Sequence, residues 1–257
     1  MRKDTSLGRF YEIEGRQLPS VTSILSIIGK PALVKWAANE ERKFISEAAA
    51  DLYEDTATLP KMGRAAYIKT LLDRVGKVKA FQRTSQKAAD IGSQVHARVE
   101  YAIRKELGQE VGPEPPMSED AWSSFSSWEN WRKGVDLKPL FIEQTVYNLT
   151  DGYAGTLDLI AEVGGQRALI DWKTSKAIYP EYSLQLAAYS FALRDMKHEV
   201  PRAGYIVRLP KTAGDSFEAK EFSEGSLWEL YSAFLHAKEL WEWNLEHEKA
   251  YQQRSKQ

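Results

Sequence analysis

Two adjacent glycines, Gly164 and Gly165, divide two runs of apolar and β-branched residues, 156–163 and 166–174. A two-residue Gly-Gly loop is a standard connection between tightly turned antiparallel strands, so the pair predicts a β-hairpin. Taking the glycines as the loop fixes the register. Val163 falls opposite Gln166, Glu162 opposite Arg167, Ala161 opposite Ala168, Ile160 opposite Leu169 and Leu159 opposite Ile170. Charge then meets opposite charge, and apolar meets apolar. Carried outward, the register sets Asp158 against Asp171 and Thr156 against Lys173. Because strand side chains alternate, Asp158, Asp171 and Lys173 are expected on one face, with Leu157 and Trp172 on the other.

Directly opposed carboxylates, with Cβ atoms roughly 5 Å apart, repel unless a proton or a cation sits between them. Ligation by oxygen with retained waters suits Mg²⁺ or Mn²⁺. Zinc and iron-sulfur sites draw on Cys, and the chain has none. The alternative, two solvated aspartates on an exposed sheet face, leaves Ile160 and Leu169 on that face without cover.

Two helical patterns flank the hairpin. Downstream, Pro180 and Glu181 open a helix on which Gln185 and Tyr189 are four residues apart and share a face. Upstream, within 89–107, Ile91, Val95, Val99, Ala102 and Ile103 form an apolar stripe, and His96 and Glu100 lie together on the adjacent face. Taken singly, Gln185 reads as an ordinary polar helix residue, Tyr189 as a core aromatic, and His96 as a structural histidine.

The ordered set says more. In Gly155-Thr156-Leu157-Asp158, then Ile170-Asp171-Trp172-Lys173-Thr174-Ser175, then Gln185-Leu186-Ala187-Ala188-Tyr189, the chain resembles the PD-(D/E)XK nuclease superfamily, in particular its RecB-like branch. The helix bearing Gly92, His96 and Glu100 matches the Gly-x-x-x-His-x-x-x-Glu helix of that branch. The resemblance implies that Asp158, Asp171, His96 and the Trp172 backbone carbonyl bind Mg²⁺ or Mn²⁺, with Glu100 a further candidate ligand. It also implies that Lys173 positions or activates the attacking water and that Gln185 and Tyr189 support the site and the substrate. Leu157 stands where the family name has Pro, and Asp171 serves as the second acidic residue; neither change removes a ligand. Glu143, on the strand before the hairpin, is placed either within reach of the site or facing solvent.

Residues 11–25, with a Pro-Ser-Val-Thr stretch after a short strand pair, resemble the opening of phage and mitochondrial-genome-maintenance type exonucleases. Read physically, Pro19 stops the strand and Ser20 or Thr22 caps a helix carrying Ile24, Leu25 and Ile28. The fold expected is α/β: a central mixed β-sheet whose hairpin carries the active site, flanked by helices, with an N-terminal helical lobe. The chain reads as a single nuclease domain, 1–257, with a largely helical lobe over 1–110 and the catalytic core over 140–257. Strands are expected at about 140–149, 204–209 and 217–222, and a terminal helix from about Glu224.

Net charge is −1 over 257 residues, so attraction to nucleic acid is not uniform. Residues 61–89 carry Lys61, Arg64, Lys69, Arg74, Lys77, Lys79, Arg83 and Lys87 against Asp73 alone. Such a stretch either lines the approach of phosphates to the site or is a solvated arm. Within 118–131, Trp122, Phe125, Trp128 and Trp131 recur every three residues or so, which fits a helix core better than a platform for unpaired bases. Zero Cys excludes the Cys-held iron-sulfur cluster of some RecB-like relatives. No membrane-length apolar run or presequence is evident, and a cytoplasmic setting, bacterial or phage-infected, is expected.

The activity implied is a metal-dependent deoxyribonuclease, an exonuclease acting on DNA ends or single-stranded DNA, in recombination or repair and with a recombination or replication protein as partner. A structure-specific endonuclease or recombination nuclease on the same fold is the nearer alternative. A non-catalytic DNA-binding protein is the more distant one, and the intact Asp158, Asp171 and Lys173 count against it.

Overall fold

A computed structural model of the chain describes residues 1–5, 8–54, 63–210 and 215–254, with side chains to 247. Lys61 lies outside the described residues. The chain divides into two compact units, 1–28 with 91–257, and 29–90.

In the larger unit β1 (Arg2–Thr5), β2 (Gly8–Ile13) and β3 (Arg16–Pro19) form an antiparallel sheet. The short helix α1 (Val21–Leu25) follows, capped as expected by Ser20, whose Oγ accepts the Ser23 N–H at 3.0 Å. The Arg9 N–H donates to Ser23 Oγ at 2.7 Å, which ties this helix back to β2.

The second sheet has five strands in the order β4 (Leu137–Asn148), β5 (Tyr153–Val163), β6 (Gln166–Thr174), β7 (Ala203–Leu209) and β8 (Glu218–Ser223). Neighbours are antiparallel except β6 and β7, which run parallel because α6 (Pro180–Asp195) crosses between them. This is the central mixed sheet flanked by helices that the sequence led one to expect. Gly164 and Gly165 form the β5–β6 turn with φ of +55° and +77°, left-handed values that glycine adopts without steric penalty.

Two apolar cores lie against this sheet. One gathers Val21 and Ile24 of α1, Leu186, Ala187 and Leu193 of α6, and Leu227 and Phe234 of α7 (Glu224–Arg254) around Ile160, Leu169 and Ile206. The other gathers Val95, Val99 and Ile103 of α4 (Ala80–Glu106) and Phe125 and Trp128 of α5 (Glu119–Gly134) around Leu159, Ile170 and Trp172. The apolar stripe of the His96 helix is therefore a core face. So is most of the aromatic repeat: Phe125 and Trp128 are buried and Trp131 packs edge-on to Trp172, while Trp122 remains half exposed.

The hairpin keeps the expected register from Val163–Gln166 to Leu159–Ile170 and then stops. Asp158 does not face Asp171 across a ladder, nor Thr156 face Lys173. Thr156 pairs with Thr145 on β4, while β6 continues alongside β7, pairing Asp171 with Ile206 and Lys173 with Arg208. Opposed carboxylates repel, and the strands part where that pairing would begin. Leu157 and Trp172, expected on a common face, are buried in different cores. Cross-strand charge matching shifts as well: Glu162 reaches Lys138 at 3.5 Å and Arg167 reaches Glu199 at 3.4 Å.

The smaller unit contains α2 (Pro31–Glu54), α3 (Arg64–Val75) and the first turns of α4, which passes from one unit to the other after Asp90. Glu41 accepts the Ala80 N–H at 2.8 Å, capping the start of α4 from α2, and Arg83 lies over the Phe44 ring at 4.3 Å. No helix among the described residues is long and apolar enough to cross a membrane.

Candidate active site

Where β5 and β6 part, the Asp158 side chain fills the gap. Its Oδ2 accepts the Trp172 backbone N–H at 2.8 Å, taking the place of a main-chain acceptor. The Trp172 ring is buried edge-on to Trp128 and Trp131, at 6.2 and 5.6 Å, so the backbone between Asp171 and Lys173 is anchored on both sides.

Asp171 is 1% exposed. Its Oδ2 lies 2.5 Å from Lys173 Nζ in an ion pair, yet among the described residues neither carboxylate oxygen has a partner in hydrogen-bonding geometry. Burial pushes this carboxyl up, to about 6, against the pull of Lys173. For Lys173, burial by itself lowers the pKa, but the Asp171 and Asp158 carboxylates outweigh it. Its pKa is raised, and it stays an ammonium ion at neutral pH.

From Lys173 a chain of polar contacts runs into α6. The ammonium donates to Gln185 Oε1 at 3.1 Å, and Gln185 Nε2 donates to Tyr189 Oη at 3.0 Å. Gln185 and Tyr189 reach these partners because they are one helical turn apart on the face packed against the sheet. Burial, then the Asp171 and Asp158 carboxylates, hold the Tyr189 hydroxyl well above its ordinary pKa, so it remains a neutral donor and acceptor. The Tyr189 ring lies against Gly155, where an added Cβ would sit 2.5 Å from Tyr189 Cε1. Only glycine leaves room for that approach.

On the other side α4 brings His96. Gly92, one turn earlier, permits close approach of this helix to β6, since a Cβ there would meet Thr174 Oγ1 at 2.7 Å. His96 Nδ1 then lies 3.9 Å from Asp158 Oδ2. His96, Glu143 and Asp158 each offer a ligand atom, and these atoms lie within 4.8 Å of one another. Glu143 gets there through a left-handed backbone, φ +50°, in mid-strand, a conformation that costs about 1–3 kcal/mol in a non-glycine residue. Burial, then Asp158 and Glu100, push the Glu143 carboxyl up to about 8, with Arg104 opposing.

The geometry thus gathers His96, Asp158, Asp171, Lys173, Gln185 and Tyr189. Glu100 is drawn aside instead, its Oε1 accepting from Arg104 Nε at 2.7 Å on its own helix. Two contributors had not been singled out from sequence. The Tyr182 ring centroid lies 5.0 Å from Lys173 Nζ, and Tyr11 Oη is 3.0 Å from Thr156 Oγ1. Tyr182 precedes Gln185 by three residues, so helical spacing could have found it. Tyr11 comes from the first sheet, and nothing local to its sequence signals the contact.

The donor set fits a divalent cation: two carboxyl groups crowded with an imidazole, beside the buried, ion-paired Asp171 carboxylate. A mixed sheet with such a cluster at the divergence of a central hairpin defines a class of phosphodiester-cleaving nucleases. The sequence profile of the PD-(D/E)XK nuclease superfamily matches residues 64–254, and the chain belongs to that superfamily. Its members use divalent metals.

Solved structures are similar at low identity. A Eubacterium rectale protein provisionally described as an exonuclease aligns with a TM-score of 0.41 and 14% identity, over 73% of this chain and 76% of that one. The alkaline exonuclease LHK-Exo of Laribacter hongkongensis aligns with a TM-score of 0.29 and 15% identity, over 68% and 89% of the two chains. LHK-Exo in complex with dAMP gives 0.32 and 13%, over 65% and 91%. No curated protein matches the chain.

Proposed function

We propose that this protein is a divalent-metal-dependent deoxyribonuclease, an exonuclease that hydrolyses phosphodiester bonds at DNA ends or in single-stranded DNA. The observation that carries this reading is the buried Asp171 carboxylate, ion-paired with the Lys173 ammonium, beside a His96–Glu143–Asp158 cluster. Membership of a nuclease superfamily supports the same reading, as do neighbours described as exonucleases. Residues 140–257 would supply the catalytic core and 1–110 a largely helical lobe, the whole acting as one nuclease domain.

Asp158, Asp171, His96 and the Trp172 carbonyl would hold Mg²⁺ or Mn²⁺. The cation supplies Lewis acidity toward a phosphate oxygen and toward water. Asp158 is oriented for this by the Trp172 N–H, which leaves its other oxygen and lone pairs for ligation. Lys173 carries a fixed positive charge in a site largely closed to water, where it counters the negative charge that builds on the phosphorane-like transition state. Gln185 holds the Lys173 ammonium by its carbonyl oxygen, and Tyr189 holds Gln185, so the amine is positioned before substrate arrives.

Digestion of end-labelled single-stranded and duplex DNA with Mg²⁺, Mn²⁺ or EDTA tests the proposal. Shortening from an end, with covalently closed circles resistant and EDTA abolishing cleavage, is the result expected. Cleavage of closed circles would assign an endonuclease on the same fold. No cleavage of any DNA with either metal would remove the enzymatic reading.

A further inference from the structure

Glu143 lies in β4 between Ile142, paired with Leu159, and Gln144, paired with Leu157. An unbroken ladder there would set it beside Asp158. Its φ is +50°, although pairing resumes on both sides of it. A single left-handed residue inside a strand breaks the alternation of side chains and re-aims one of them. Glycine or asparagine would be the usual occupant, and a glutamate gains nothing local from the conformation.

The Glu143 carboxyl lies beside His96 and Asp158, with ligand atoms mutually within 4.8 Å. Among the described residues the Glu143 side chain forms no hydrogen bond and no salt bridge. Arg104, whose charge opposes the shift at Glu143, is committed to Glu100 at 2.7 Å and Gln109 at 2.9 Å. Asp158 faces it, and Asp171, buried and ion-paired with Lys173, adds to the same field. Two carboxyl groups crowded against an imidazole, one of them in a strained backbone, make a donor set that a divalent cation would reconcile.

We infer that Glu143 is a ligand of the same divalent cation as His96 and Asp158, so that α4, β4 and β5 each contribute one donor. This rests on the metal-dependent reading above. The mixed nitrogen and oxygen set suits Mn²⁺ and, less tightly, Mg²⁺.

Titration calorimetry of MnCl₂ into the EDTA-stripped, DNA-free full chain tests it, using the parent, Glu143→Gln, Glu143→Gly and Asp158→Asn. Glycine accepts a positive φ, so Glu143→Gly keeps the fold even if the amide variant does not. The expected result is Mn²⁺ affinity lowered about tenfold or more in both Glu143 variants, as loss of a ligand or its direct support typically gives. Melting temperature in EDTA should be unchanged or higher. A smaller loss of affinity in the Glu143 variants, with Asp158→Asn abolishing binding, overturns the role of Glu143 and leaves the nuclease proposal standing. A parent protein that fails to bind Mn²⁺ overturns both.

Discussion

Trp172 and Asp158 are joined by a single hydrogen bond, main-chain N–H to Oδ2 at 2.8 Å, exactly where the β5–β6 ladder has ended. One carboxylate thereby stitches the open end of the hairpin and is itself oriented by it. The hinge of the site is this bond: it keeps Asp158 near the strand that carries Asp171 and Lys173 while letting the two carboxylates stay out of direct opposition.

Asp171 and Lys173 should separate binding from catalysis. Asp171→Ala is expected to abolish cleavage and weaken Mn²⁺ binding while leaving DNA affinity within about tenfold, since phosphate contacts elsewhere dominate affinity. Lys173→Met is expected to keep Mn²⁺ binding and lower kcat by about 10²–10³, the usual loss when one electrostatic group of a transition-state site is removed. Calorimetry beside single-turnover kinetics checks both, and active Asp171→Ala protein would refute the assignment.

Metal choice follows from the imidazole. A nitrogen donor favours Mn²⁺ over Mg²⁺, so half-maximal activity should need a lower concentration of Mn²⁺ than of Mg²⁺. His96→Ala should narrow that gap. Titrating each metal into the stripped enzyme while following release of end label measures it.

Stability of the metal-free protein should fall as pH rises. Glu143 has a folded pKa of about 8 against an ordinary 4.5, so the folded state holds a proton that the unfolded chain has lost. Stability is therefore full below about 4.5, declines through the interval and levels off above about 8; Asp171, raised to about 6, acts in the same direction over the lower part of that range. Melting curves in EDTA from pH 5 to 9 should show this slope, and Glu143→Gln should flatten it. A flat parent profile would contradict the burial of these carboxylates.

Gly155→Ala introduces a Cβ 2.5 Å from the Tyr189 ring. Displacing that ring breaks the support of Gln185 and Lys173, so kcat should drop while the fold loses about 1–3 kcal/mol, the usual penalty of overpacking. Gly15→Ala is the control: its φ is +74° but nothing lies within 4 Å, so backbone strain should lower stability without touching kcat. Urea melts and steady-state rates on the two variants distinguish packing from strain.

The Tyr231 hydroxyl donates to Asp151 Oδ2 at 2.5 Å, and Tyr153 and Asn148 meet it in the same buried cluster. Tyr231→Phe leaves Asn148 and Asp151 short of a partner and should cost about 1–3 kcal/mol. Since this cluster fastens the β4–β5 connection to α7 and touches none of the proposed ligands, kcat should stay within about twofold. Denaturant unfolding paired with activity tests the separation.

Much of this protein was readable along the chain. Gly164-Gly165 fixed the turn, and the apolar pairing on either side fixed the register as far as Leu159 and Ile170, because strand period and turn geometry are local constraints. Helical spacing put Gln185 with Tyr189 and gave α4 its buried stripe for the same reason. Other relationships belong to the tertiary structure alone. The parting of β5 from β6 and the pairing of β6 with β7 depend on packing between segments far apart in sequence, and no local period marks the left-handed turn at Glu143. Glu100 and Glu143 make the contrast plain: spacing favoured Glu100, but Arg104 one turn away claims it, and the carboxylate that reaches His96 and Asp158 comes from a strand whose distance in space no sequence period encodes.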